Sequence, residues 1–260
     1  MHSTMQNSPL TVAEILRYAA DVHGDRMVTT ATGDGFRHAT YREVGKQAAR
    51  LANALRKLGI DGDQRVATFM WNNQEHFEAY VAVPAMGAVL HTLNIRLFPE
   101  QIEFVAYEAE DKVVIADLSL APILAPVLAR METVHTVIAV GDGDLGPFQA
   151  SGKTVLRYHE VTAAESDEFD WPEIDENSAA AMCYTSGTTG HPKGVVYSHR
   201  SSYLHSMAVC AGNGMGLSFA DKAFPIVPMF HANAWGLPYA ALMAGADIVL
   251  PDRFMDAVSF

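Results

Sequence analysis

Apolar positions along the first half of the chain recur with two alternating periods. Val12, Ile15, Leu16 and Ala19 mark one helical face, opened by Thr11-Val12-Ala13-Glu14, whose threonine-to-glutamate spacing is that of a capping box. Residues 27–30 and 36–40 flank a Gly33-Asp34-Gly35 turn, which predicts a hairpin. A second capping box, Thr40-Tyr41-Arg42-Glu43, opens a helix whose apolar positions Val44, Ala48, Leu51, Leu55 and Leu58 step by four and three, and Gly59 ends it. Residues 65–70 read as a strand, followed by a helix from Gln74 that Pro84 disturbs near its end. Strand and helix then alternate: 88–90 strand, 99–108 helix with proline in its first turn, 112–116 strand, 119–130 helix, 134–140 strand. Strands alternating with helices of this length predict βαβ units, hence an α/β fold of mostly parallel sheets with helices on both faces.

Beyond Val140 the pattern weakens. Gly141-Asp142-Gly143-Asp144 starts a loop region, and seven acidic residues from Glu165 to Glu176, with no lysine or arginine among them, read as a solvated linker rather than a metal site. This divides the chain into a first α/β unit, 1–176, and the start of a second, 177–260. Ala179-Ala180-Ala181-Met182-Cys183-Tyr184 reads as a buried strand and Val195-Val196-Tyr197 as another. Ser198 and His199 lead into a helix ending near residues 212–216, and 223–227 reads as a strand. From Ala223 to Ala246 there is no Asp, Glu, Lys or Arg, a length that could span a bilayer. Pro225, Pro228, Pro238, His231 and Asn233 interrupt it, so no transmembrane segment is expected.

A hydrophobic content of 49% allows a sizeable core, and a formal net charge of −12 argues against a nucleic-acid surface or an anionic membrane patch. The two cysteines, Cys183 and Cys210, make no disulfide framework and suit a reducing, cytoplasmic setting; no secretory signal is read at the N-terminus. Cys183 reads as a small buried hydrophobe rather than a nucleophile.

Candidate chemistry concentrates in Tyr184-Thr185-Ser186-Gly187-Thr188-Thr189-Gly190-His191-Pro192-Lys193-Gly194. Glycines let backbone N–H groups turn inward around an anion, hydroxyls donate to phosphate oxygens or bind Mg²⁺, and Lys193 adds a point charge. The order is not that of a Walker loop, because Pro192 precedes the lysine and Gly194 follows it. A glycine-rich hairpin turn with an incidental lysine is the plain alternative. Pro228-Met229-Phe230-His231-Ala232-Asn233-Ala234-Trp235-Gly236 sets an imidazole and an indole four residues apart among apolar neighbours, which alone suits a core histidine and a packed tryptophan.

Residues 185–194 resemble the signature loop of the adenylate-forming superfamily, with His191 where that family varies. Residues 228–236 resemble the motif that fatty acyl-CoA synthetases carry beyond that loop. His91-Thr92-Leu93-Asn94-Ile95-Arg96-Leu97-Phe98-Pro99-Glu100 resembles a third segment, which usually has proline at the position of Ile95; Asn94 and Arg96 receive no catalytic role. The resemblance implies the N-terminal large domain of a ligase that joins a carboxylic acid to ATP, with Mg²⁺, and passes the acyl group to coenzyme A. It implies that Thr185, Ser186, Gly187, Thr188, Thr189, Gly190 and Lys193 hold the β- and γ-phosphates, Thr185 nearest the metal. Lys193 and His231 are the catalytic candidates; His231 lies near the α-phosphate and carboxylate, and His231, Asn233 and Trp235 bind substrate, the indole walling the acyl tunnel. Amino-acid-activating relatives have an aspartate where this chain has His231, so a substrate ammonium would lack its partner and a fatty or other uncharged-tail acid is favoured.

The expected partners are thus a small carboxylic acid, ATP and coenzyme A, without nucleic acid, and a homodimer is allowed. Relatives are about twice as long and supply a Mg²⁺-binding glutamate, a ribose-binding aspartate and a mobile lysine from the rest of their length. The chain is accordingly read as an incomplete domain, inactive alone, with residues 252–260 opening a helix. The alternatives are a ligase for a short or aryl acid, another phosphate-binding enzyme such as a kinase, and a non-catalytic nucleotide-binding fragment.

Overall fold

A computed structural model describes residues 1, 3–185 and 192–255. The chain begins with α1 (Val12–Val22), the hairpin β1 (Met27–Ala31) and β2 (Phe36–Thr40), and α2 (Tyr41–Lys57). Both threonine caps form: Thr11 and Thr40 each accept from the backbone N–H three residues on, and Glu43 returns a bond to the Thr40 N–H, completing the capping box of α2. Then follow β3 (Arg65–Phe69), α3 (Gln74–Ala85), β4 (Val89–Thr92), α4 (Pro99–Glu108), β5 (Val113–Asp117), α5 (Ala121–Leu128) and β6 (Thr136–Val140). The remainder comprises α6 (Gly146–Gln149), β7 (Thr154–Arg157), α7 (Tyr158–Ala163), β8 (Ala179–Thr185), β9 (Lys193–Ser198), α8 (His199–Cys210), β10 (Lys222–Ala223), α9 (Leu237–Ala244) and β11 (Asp247–Leu250).

Among the described residues the strands form a seven-stranded sheet, ordered β7-β6-β5-β3-β4-β8-β9, and a four-stranded sheet, ordered β10-β11-β1-β2. Pairing is parallel throughout except for β9 on β8 and β2 on β1. This is the α/β architecture that the alternating periods predict. Each sheet takes strands from both sides of residue 176, so the division expected there does not coincide with the division between sheets. No helix among the described residues is long and apolar enough to cross a membrane.

Three local expectations are corrected. The loop region after Val140 contains α6, β7 and α7, elements of four to six residues and too short to show a period. The acidic stretch is not merely solvated: Glu165 and Asp167 pair with Lys57 and Lys46 of α2 at 2.8 and 3.2 Å, and Phe169 and Trp171 pack against the core. Glu176 pairs with Arg200 and accepts from the Leu10 N–H. The strand expected over 223–227 is reduced to β10, because Pro225 and Pro228 have no N–H to give a ladder.

The helix α3 is the centre of the packing, touching strands of both sheets, and it is buried from His76 to Ala85. All-round burial explains why its apolar residues show no single face. Its polar members are satisfied internally: His76 Nε2 bonds to Thr68 Oγ1 at 2.9 Å and Nδ1 to the Trp71 carbonyl at 2.9 Å. Glu78 accepts from the Tyr158 hydroxyl at 2.6 Å and the Gln74 amide at 2.8 Å.

Burial, helped by the charge of Glu75, pushes the Glu78 carboxyl from 4.5 up to about 7. A carboxyl raised in the folded state binds its proton more tightly there than in the unfolded chain. Its stabilisation is present in full below the unfolded value and is lost as pH rises through the folded one. Between about pH 5 and about pH 8 the wild type should lose about 2–3 kcal/mol more stability than Glu78→Gln, measured by urea unfolding. Parallel pH profiles for the two proteins would contradict this.

Candidate functional site

Strand β8 enters the large sheet beside β4, buried from Ala180 to Cys183, and reaches its carboxyl end at Thr185. The chain then returns antiparallel as β9, with Thr185 in register with Lys193 and Tyr184 with Gly194. Antiparallel return is what allows a short connection here, since a parallel neighbour would need a crossover. The Thr185 hydroxyl donates to the Lys193 carbonyl at 3.4 Å, and both residues are exposed. The expected phosphate ligands Ser186, Gly187, Thr188, Thr189 and Gly190 lie outside the described residues. What the structure places is the stem: a hydroxyl and a lysine brought face to face where strands of a parallel sheet end, the edge at which such sheets bind ligands.

The second motif is fastened to the same end. Asn72, between β3 and α3, donates to the carbonyls of Pro225 and Val227 at 2.9 and 3.2 Å and accepts from the Met229 N–H at 2.7 Å. The Tyr80 hydroxyl of α3 donates to the Met229 carbonyl. From Ala232 to Gly236 the backbone makes a left-handed turn, with φ of 43, 49, 50, 56 and 69°. Non-glycine residues resist this conformation by roughly 1–2 kcal/mol each, so the turn needs external support. Buried Asn233 accepts from the Thr92 hydroxyl of β4 at 3.3 Å, and His205 Nε2 of α8 donates to the Trp235 carbonyl at 2.8 Å. A Cβ on Gly236 would come within 2.5 Å of His205, so only glycine closes the turn.

This geometry turns His231 and Trp235 outward. His231 is exposed, not a core histidine, and Trp235 is 54% exposed. The indole stands between two cavities. One, of about 410 Å³, is lined by Tyr197, His205, Asn233, Trp235 and Tyr239. The other, of about 450 Å³, is lined by Trp71, Arg96, Phe230, His231 and Trp235. Arg96, to which the sequence assigned no role, sits 5.9 Å over the Phe230 ring on the wall shared with His231. Cys183 is buried behind the turn, its thiol pushed up by burial, which suits a hydrophobe and not a nucleophile.

Thr92 on β4, Cys183 on β8 and Tyr197 on β9 therefore bring the loop stem and the left-handed turn onto one sheet end. Asn72, Thr92, Arg96 and His205 were missed as parts of the site because their partners lie far away in sequence. The spacing of Ser201 and His205, one helical turn apart, is the one local signal that both face the same cavity. Among the described residues no three His, Cys, Asp or Glu side chains cluster to hold a metal ion.

The model of the AMP-binding enzyme family matches residues 16–259. A medium-chain-fatty-acid–CoA ligase from Ectopseudomonas oleovorans is 41% identical over 260 residues, which is 100% of this chain and 47% of the relative. A long-chain-fatty-acid–CoA ligase from Thermus thermophilus is 42% identical over 258 residues, 99% of this chain and 46% of its own. Among solved structures, a putative long-chain-fatty-acid CoA ligase from Rhodopseudomonas palustris has a TM-score of 0.80 at 27% identity, covering 94% of this chain and 57% of that one. An anthranilate CoA ligase in complex with anthranoyl-AMP has a TM-score of 0.83 at 21% identity, covering 96% and 46%, a likeness of fold. The chain spans about half the length of the curated relatives it matches.

Asn72 is the fastening of the second motif, and it is buried. Asn72→Ala would leave two carbonyls and one N–H without their partner, and should destabilise the protein by about 3 kcal/mol in urea unfolding. A loss below about 1 kcal/mol would mean that the segment holds its path without this side chain.

Proposed function

The chain belongs to the AMP-binding enzyme family, and on that footing we propose that it supplies the phosphate-binding stem and the acyl cavity of an ATP-dependent acid–CoA ligase. The observation that carries the reading is the in-register pair Thr185 and Lys193 on the same sheet end as the left-handed turn that presents His231 and Trp235. In this reading Lys193 and the hydroxyl of Thr185 meet the β- and γ-phosphates of ATP, with Ser186, Gly187, Thr188, Thr189 and Gly190 completing the set. Mg²⁺, an ion that takes oxygen ligands, would be held there through the exposed Thr185 hydroxyl and the phosphate oxygens. Bound there, it would neutralise phosphate charge.

The first half-reaction forms a bond from a substrate carboxylate oxygen to the α-phosphorus and breaks the bond to pyrophosphate. A weak anionic nucleophile must approach an anionic centre, so charge neutralisation and alignment carry the catalysis. Lys193 holds the leaving pyrophosphate, and His231, with Arg96 on the same cavity wall, faces the carboxylate and α-phosphate. In the second half-reaction the thiol of coenzyme A loses its proton, its sulfur bonds to the acyl carbon, and AMP leaves.

The tail of the acid is assigned to the cavity between α8 and the turn. Among the described residues that cavity is lined by aromatic, hydroxyl, amide and imidazole side chains and by no Asp, Glu, Lys or Arg, which supports an acid with an uncharged tail. The names of the relatives, medium- and long-chain fatty-acid ligases and 3-methylmercaptopropionyl-CoA ligases, point the same way. Trp235 closes the cavity against the His231 side and would set how much tail is accepted.

Titration calorimetry of the chain with Mg·ATP tests the phosphate assignment. One-site binding is expected, weakened in Lys193→Ala and Thr185→Ala by about 2–4 kcal/mol each, of the order of a lost preorganised charged or metal contact. Equal affinity in all three proteins would overturn the roles given to these residues. Acyl-sulfamoyl adenosines of increasing tail length test the cavity: Trp235→Ala should shift the preferred tail upward by a graded amount, about 1–3 kcal/mol per methylene gained. An unchanged ranking in a folded variant would make Trp235 ordinary packing. In a coupled assay with ATP, Mg²⁺, coenzyme A and a fatty acid, the 260 residues alone should show no sustained turnover. Sustained acyl-CoA formation would show that they carry the whole site.

A further inference from the structure

His91, in the middle of β4, and Asp111, in the turn between α4 and β5, are both wholly buried and play no part in the reaction described above. His91 Nδ1 lies 2.9 and 2.8 Å from the two Asp111 carboxylate oxygens, so one end of the imidazole is fixed. Its other nitrogen, Nε2, is one of three buried side-chain polar atoms among the described residues that have no hydrogen-bond partner. A buried polar atom without a partner costs stability, and so does a buried carboxylate; apolar pairs of the same shape are in general often as stable. The imidazole must therefore be judged by what its ring touches.

It touches Tyr184. The two ring centroids are 5.2 Å apart at an interplanar angle of 51°. Tyr184 is the last residue of β8 before Thr185, and on its other side it covers Gly194, where a Cβ would come within 3.2 Å of the phenol ring. The tyrosine ring thus bridges β4, β8 and β9 immediately below the Thr185–Lys193 pair. Among the described residues the other ionisable groups facing this cluster are Glu108 at the end of α4, which lies against the Tyr184 hydroxyl, Arg65 at the start of β3 and Lys112 before β5.

We infer that the buried His91–Asp111 pair is a positioning device for the phosphate-binding stem: it holds Tyr184 across Gly194 and so keeps Thr185 and Lys193 aimed at the phosphates. The inference rests on the function proposed above. Asp111 anchors the imidazole, the imidazole supports the phenol, and the phenol fixes how β9 lies on β8. Glycine at 194 leaves the ring its place: a Cβ there would come within 3.2 Å of the phenol and press it aside by a few tenths of an ångström, and no left-handed backbone angle is involved. The pair touches no reactant, so its effect should appear in nucleotide affinity.

The test is calorimetric Mg·ATP binding by the chain, with thermal unfolding measured in parallel. His91→Asn keeps a donor toward Asp111 but removes the ring beneath Tyr184; it should remain folded and bind Mg·ATP about tenfold more weakly. Tyr184→Phe keeps the ring and should bind like the parent, whereas Tyr184→Leu should match His91→Asn. Because both substitutions break one linkage, the double variant should be no weaker than either single one. A general loss of packing would instead lower the melting temperature without this rescue by phenylalanine and without the non-additivity. Undiminished binding by His91→Asn, or additive losses, overturns the inference while leaving the proposed function standing. Absence of Mg·ATP binding in the parent chain overturns the proposed function and this inference with it.

Discussion

The return of β9 along β8 is the constraint on which the site depends. A parallel sheet normally sends its chain away through a helix after each strand, which carries successive residues far apart. Reversal at the sheet edge does the opposite and sets Thr185 against Lys193. Register is fixed because Val195 and Tyr197 on one face of β9 are half-buried while Val196 on the other is exposed: a slip of one residue would exchange the two faces. Tyr184 and Gly194 tighten this further, since a Cβ opposite the ring would come within 3.2 Å of it and press it aside.

The second half of the site is held by force of a different kind. Four non-glycine residues with positive φ form a turn that would not persist alone. Its support comes from every side: Asn72 and Tyr80 before it, Thr92 beneath Asn233, and His205 on the Trp235 carbonyl. Strain held by surrounding structure is common where side chains must be presented rather than packed. Here it exposes an imidazole beside one cavity and an indole between two.

Much of the scaffold was legible because local chemistry and tertiary position agree. The boxes at Thr11 and Thr40 mark helix starts that occur, and Pro99 opens α4 as a first-turn proline should. The runs at 65–69, 113–117 and 136–140 are apolar because strands buried on both faces must be. Legibility failed where elements were short or partners distant. The strand β7 has one exposed and three half-buried residues and no period to detect. The pairing of β1 with β11 joins residues 28–30 to 248–250, which no local pattern announces. For His231 the sequence left core and site open, and only the left-handed turn shows that it faces outward. Arg96 was visible in a recognised segment but lacked a reason for a role until the cavity beside Phe230 supplied one.

In the proposed function, phosphate is received at the β8–β9 stem and not elsewhere on the sheet. Amide hydrogen exchange of the chain, followed by mass spectrometry with and without Mg·ATP, addresses it peptide by peptide. Slowed exchange is expected in peptides covering residues 184–194, with a smaller effect at 228–236 and none at 154–163, on the far edge of the same sheet. Protection that spares 184–194, or that is confined to another sheet end, would contradict it.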